Sequence, residues 1–394
     1  MRRSRLALAA AFVSVVAVPL ASLAVAGCSG GSTSNAGAGD AASPPSTSRG
    51  DAANDVDASV GPVLITDPDQ GMSWFYALIG TATKSIDMTM YELTDTTVTG
   101  LLTQAAKSGI AVRVILDQNL EMQGNTPAYD ALTAGGVQVH WANAAYAATH
   151  QKTITVDATT SAIMTMNLTP DDYVTSRDFA VITTDAADVA AIEDVFAQDF
   201  VNAATTPPTG DDLVWSPTNA KGDLVALIEG ATSTLIVENE EMSDDAIVSA
   251  LSSAAEHGID VKLIMEDSEN YQSEFETLQA AGVDVVVYRH AALYIHAKIV
   301  LSDFGSAAAK AFVGSENFTN PSLTENRELG LITTAPAILA SLDTTLQSDF
   351  DGGTTFRPFD GGPNDAGSPD ALLTDASPAD ANPVDANPVD ANPV

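Results

Sequence analysis

The chain has 394 residues, with 52 acidic against 16 basic side chains and a formal net charge of −36. That length allows one large domain or two ordinary ones. So acidic a chain repels nucleic acid, whose binding rests on phosphate neutralisation by Lys and Arg, so nucleic acid is not an expected partner, and surface charge recruits no polyanion here.

Residues 1–28 read as a secretory signal. Arg2, Arg3 and Arg5 form a charged start, an apolar run covers 6–25, and small residues lead to the only cysteine, Cys28. That ending resembles the bacterial lipobox, so Cys28 is the expected lipidation site. It would hold the protein to a membrane of the cell envelope, in the periplasm, at the outer membrane or on the cell surface. No other segment is long and apolar enough to span a bilayer. Residues 29–61, rich in Gly, Ser, Ala, Pro and Asp, read as a disordered tether.

A duplication follows. Ser85-Ile-Asp-Met-Thr-Met-Tyr91 aligns with Thr234-Leu-Ile-Val-Glu-Asn-Glu240, and 109–117 aligns with 258–266, both at an offset of 149. In the first copy, apolar runs predict strands over 86–90, 112–116, 137–141, 149–156, 162–166 and 179–183. Helical spacing of Val98, Leu101, Leu102 and Ala105 predicts a helix over 97–108, which Gly109 stops. Further helices are expected over 126–134 and from 185 to about 200. In the second copy Asp244 suits the N-cap of a helix running to His257. This alternation implies an α/β fold. It consists of two tandem repeats, 62–203 and 211–350, each a mixed β-sheet flanked by helices and packed about a pseudo-twofold axis. Residues 351–394 end in three copies of Asp-Ala-Asn-Pro-Val and read as a disordered acidic tail.

Only five histidines occur, and two fall in matched patterns. His150-x-Lys152-x4-Asp157 precedes Met164-Thr165-Met166-Asn167 and then Asp178. His296-x-Lys298-x4-Asp303 precedes Gly314-Ser315-Glu316-Asn317 and then Glu328. On a strand, alternation puts the His and Lys of each pair on one face. Phosphoryl transfer needs a nucleophile, a proton for the departing oxygen, and fixed donors around the remaining oxygens. One neutral imidazole attacks phosphorus and a second, protonated one serves the leaving alcohol. Lys152 and Lys298 supply charge, Asn167 and Asn317 amide donors, and the hydroxyls of Thr165 and Ser315 help. Asp178 and Glu328 are the expected acids behind the imidazoles. No metal or other cofactor is called for. His140, His257 and His290 read as packed or surface residues.

These paired motifs closely resemble the phospholipase D superfamily, whose hallmark is two His-x-Lys-x4-Asp motifs, each followed by Gly-Ser-x-Asn. The resemblance spans essentially all of 62–350. It implies a phosphodiesterase working through a phosphohistidine, with His150 as nucleophile, His296 as acid, and Asp157 and Asp303 as structural residues. The first expectation is a phospholipid substrate hydrolysed to phosphatidate and free head group, with transfer to other alcohols as an accompanying activity. The alternatives are a nuclease, a cardiolipin-synthase-like transferase and a silent binding module. Both motifs lie on one chain, so a monomer suffices for one site. Met164-Thr165 departs from the family's Gly-Ser, and Met164 is expected to narrow the pocket. The longer second-copy loop, 304–310, is expected to alter access.

Overall fold

The computed structural model describes residues 61–204, 207 and 212–358. The expected signal with Cys28, the tether up to residue 60 and the repeated tail lie outside the described residues. The first repeat runs β1 (Val63–Asp67), α1 (Ser73–Gly80), β2 (Ser85–Met90), α2 (Thr96–Lys107), β3 (Ala111–Leu116), α3 (Met122–Ala134), β4 (Gln138–Trp141), β5 (Thr153–Val156), β6 (Thr160–Met164), β7 (Ser176–Thr183) and α4 (Ala186–Phe200). The second begins β8 (Leu213–Ser216), α5 (Ala220–Glu229), β9 (Thr234–Asn239), α6 (Asp245–Glu256), β10 (Asp260–Glu266), α7 (Gln272–Ala281) and β11 (Asp284–Tyr288). It continues β12 (Tyr294–Ile295), β13 (Lys298–Ser302), β14 (Lys310–Gly314), α8 (Asn320–Thr324), β15 (Glu328–Thr333), α9 (Pro336–Gly352) and β16 (Thr354–Thr355).

The two sheets share one strand order, β4-β3-β2-β5-β6-β7-β1 and β11-β10-β9-β13-β14-β15-β8, with β16 added beside β11. The first three strands of each are parallel, because a helix returns the chain between them. The later strands pair antiparallel. Asp95 and Asp244 start the matched helices α2 and α6, each accepting two backbone N–H bonds as a cap.

Period-two alternation then assigns the faces. Ala162, Met164, Ala180 and Ile182 turn outward to a core shared with α1–α3. Ile163, Phe179 and Val181 turn inward and meet Trp215, Ile299, Val313, Leu329 and Leu331 of the other sheet. Each such fully buried large side chain contributes about 1.5–3 kcal/mol, so this shared inner core binds the repeats into one unit.

Four expectations change. The strand expected over 149–156 begins only at Thr153, because the N–H groups of His150 and Gln151 bond to the other repeat rather than to their own sheet. The helix expected over 126–134 begins at Met122 and carries Pro127 inside it. The boundary expected at 350 moves outward: α9 runs to Gly352, β16 pairs with β11, and Phe356 packs edge-on against Phe275. Met164 sits in the outer core and does not narrow the pocket.

Candidate active site

The two His-bearing segments leave their own sheets and cross. β12 pairs parallel with β7, Tyr294 opposite Ser176 and Ile295 opposite Arg177, and the His296 N–H donates to the Arg177 carbonyl at 3.3 Å. In the mirror arrangement Thr149 bridges to Arg327, and the N–H groups of His150 and Gln151 both donate to the Arg327 carbonyl at 2.9 Å. Each imidazole is delivered by one repeat and held by the backbone of the other.

The acids cross in the same way. His150 Nδ1 lies 2.9 Å from Glu328 Oε2, and His296 Nδ1 lies 2.8 Å from Asp178 Oδ1. A carboxylate on Nδ1 fixes the proton there and leaves Nε2 for chemistry. The hydroxyls of Thr165 and Ser315, expected to serve the phosphate, instead donate to Asp178 at 2.5 Å and to Glu328 at 2.6 Å. Ser322 and Asn326 add donors to Glu328 at 2.8 and 3.0 Å. The residues before these acids tie the repeats together: Arg177 Nε meets Asp349 of α9 at 2.7 Å, and Arg327 Nε meets Asp199 of α4 at 2.9 Å.

Around the imidazoles the structure gathers the expected donors. Lys152 and Lys298 are fully buried. Lys152 Nζ stands 4.8 Å over the Tyr91 ring, which packs against His150. Lys298 Nζ donates to Glu240 Oε2 at 2.8 Å, and Asn317 Nδ2 donates to the same oxygen at 3.2 Å. Asn167 Nδ2 donates to Glu92 at 3.1 Å. That Glu240 oxygen is also 3.6 Å from His296 Nε2. Glu240 also lines the cleft that holds His150 and Asn317, so one carboxylate both borders His150's cleft and approaches His296. A buried carboxylate thus occupies donors that an anion would use.

Asp157 and Asp303 lie away from this cleft. Each takes a positive φ, 55° and 52°, at a β-turn after its strand. Asp157 accepts from the N–H groups of Thr83, Lys84 and Ser85, and Asp303 from those of Thr232, Ser233 and Thr234. Each therefore fixes the loop leading into the strand that ends at the cleft. Phe304 of the longer second loop borders a separate cleft with Lys262 and Gln347, so that loop does not control entry.

Electrostatics separates the groups. Burial pushes the His150 imidazole below its ordinary value; Glu328 opposes this and Lys152 adds to it. Burial would raise Glu240, but Lys298 and His296 hold it below the usual carboxylate range. Burial, with Asp178 alongside, pushes Asp67 up to about 7. Burial also takes Glu193 and Glu266 to about 8 and raises Glu238 and Glu316 well above the ordinary range.

These raised carboxyls bind protons in the folded chain where the unfolded chain has lost them. Stability therefore falls as pH climbs from the ordinary carboxylate range to about 8. Asp157 and Asp303, lowered to about 2 by their donors against the effect of burial, act oppositely but only in stronger acid. The melting temperature should decline between pH 5 and pH 9 in scanning calorimetry; a rise over that interval would contradict these assignments.

Glu240, Glu92, Tyr91 and Asp67 are the residues of the cleft that motif reading passed over. A signal existed for two of them: Tyr91 and Glu240 occupy matched places one residue beyond β2 and β9. The carboxyl ends of parallel strands are where α/β sheets hold ligands.

The family model described as "Cardiolipin synthase, PLD-like domain" matches the chain twice, over 75–200 and 224–350. Cardiolipin synthase A of Pseudomonas aeruginosa is 30% identical over 122 residues, covering 30% of this chain and 24% of its own length. Cardiolipin synthase A of Pseudomonas fluorescens is 26% identical over 289 residues, covering 64% of this chain and 59% of its own. The chain thus spans only part of the relatives it matches. Among solved structures, a phosphatidylserine synthase from Haemophilus influenzae superposes with a TM-score of 0.57 at 12% identity, over 72% of this chain and 84% of that one. At that identity the likeness is one of fold.

Proposed function

The chain belongs to the phospholipase D-like family, both repeats included, and from that premise we propose that it transfers phosphatidyl groups between alcohols, with water as a competing acceptor. The observation that carries this reading is the crossed pair of imidazoles, each with Nδ1 on a buried carboxylate of the opposite repeat. In this reading His150 is the nucleophile. Burial and Lys152 keep it neutral, and Glu328 aims its Nε2 lone pair at phosphorus. As the phosphorus–oxygen bond to the head group breaks, His296 gives its Nε2 proton to the departing oxygen. It then takes a proton from the incoming alcohol, whose oxygen displaces His150 and ends the cycle. Lys152, Lys298, Asn167 and Asn317 surround the phosphoryl oxygens, which take the place of the Glu240 and Glu92 carboxylates.

The sequence ranks hydrolysis first. The double match to a cardiolipin synthase domain and the names of the relatives support transfer ahead of it. Acidity weighs against a nuclease. Among the described residues no helix is long and apolar enough to cross a membrane. Lipidation of Cys28 is our proposal for how the chain is held at a bilayer of the cell envelope. Both halves of the site lie on one chain, which supports a monomer as the working unit.

The full chain, incubated with phosphatidylglycerol vesicles in EDTA, should yield cardiolipin and free glycerol. Phosphatidate with glycerol and no cardiolipin would make it a hydrolase. Intact lipid with nicked single-stranded DNA would overturn both.

A further inference from the structure

A second cavity opens on the His296 side of the cleft. Its lining includes His296, Asn167 and Asp178 together with Asp67, Ser176 and Tyr294. Asp67 lies directly opposite Asp178 in the β1–β7 ladder, and Ser176 opposite Tyr294 in the bridge between repeats. Asp67 is 3% exposed and Ser176 2%, yet Asp67 Oδ1 and Ser176 Oγ have no hydrogen-bond partner. Buried polar atoms are nearly always satisfied, and leaving one unpaired costs about 1–3 kcal/mol. Two such atoms bordering one cavity call for a ligand that hydrogen-bonds to both.

The position of the cavity says which part of a substrate that is. In-line displacement by His150 sends the leaving oxygen to the opposite side, toward His296. The alcohol that departs, or later enters, therefore lies in this cavity. We propose that it is an alcohol-binding subsite in which Asp67 and Ser176 select a head group bearing free hydroxyls over an alkyl or trimethylammonium one. This rests on the phosphatidyl-transfer reading above. A hydroxyl donates to Asp67 Oδ1 and can accept from Ser176, satisfying both atoms, whereas an alkyl group and a trimethylammonium hydrogen-bond to neither. Burial and the neighbouring Asp178 push Asp67 up to about 7, so both its protonated and its ionised form are present near neutrality. Asp67 remains a full partner for a hydroxyl.

Binding to the full chain tests this without turnover. By calorimetry, sn-glycerol 3-phosphate should bind about tenfold tighter than ethyl phosphate, a ratio typical of one well-placed hydrogen bond. Asp67→Ala should bring that ratio close to one, and Asp67→Asn, which keeps an acceptor, should restore part of it. Ser176→Ala deletes a single unpartnered oxygen and keeps the test valid where the Asp67 variants fold poorly; it should lower the ratio about threefold. Equal ratios in wild type and the Ser176 variant would overturn the proposal, as would tighter binding of phosphocholine than of glycerol phosphate. Failure of the transfer reading looks different: the binding pattern holds while no phospholipid is turned over.

Discussion

Replacing His150 or His296 with Asn should lower phosphodiester turnover by about 10⁴-fold or more in each case, since residues that act as one unit fail together. The fold should survive. The backbone N–H of each position, not its side chain, carries the bond across the repeats, and Glu328 keeps Ser315, Ser322 and Asn326 when His150 is lost. The two variants should differ in what they accumulate. With an aryl phosphodiester, whose leaving group needs no proton, His296→Asn should still trap a phosphoenzyme on rapid alkaline quench. His150→Asn should trap none. Phosphoenzyme in the His150 variant alone would reverse the roles of the two imidazoles. Near-normal turnover in either would end the mechanism.

The fold was legible because it is written twice. The matched offsets gave two α/β repeats, each a mixed sheet flanked by helices. The candidate residues could be named in advance because His, Lys and Asn recur at fixed spacing. What failed is whatever depends on partners that only the folded chain brings together. A strand from 149 to 156 is the natural reading of that run, but the carbonyl of Arg327 takes the N–H groups of His150 and Gln151 instead. Thr165 and Ser315 read as phosphate donors because no spacing reveals that Asp178 and Glu328 claim their hydroxyls first. Glu240 escaped for a related reason. Its partner in the duplication is Tyr91, which marks the place without giving the role, and only the folded chain shows it gripping Lys298.

The crossing itself makes the second large prediction. Glu328→Gln and Asp178→Asn should each cost about 10³–10⁴-fold in kcat, the scale seen when an amide replaces the carboxylate behind a reacting imidazole and favours the wrong tautomer. Each acid sits behind the other repeat's histidine, so the defects should sort by partner rather than by sequence neighbourhood. Glu328 serves His150, so Glu328→Gln should slow the attack on phosphorus, and a better leaving group should not rescue it. Asp178 serves His296, so Asp178→Asn should slow protonation of the departing oxygen, and an aryl phosphodiester should recover most of the lost rate. A same-repeat pairing predicts the reverse, with Asp178→Asn the variant that cannot be rescued. Burst kinetics on alkyl and aryl substrates separates the two outcomes. It also tests why both motifs must share one folded unit: neither half carries both an imidazole and the carboxylate that orients it.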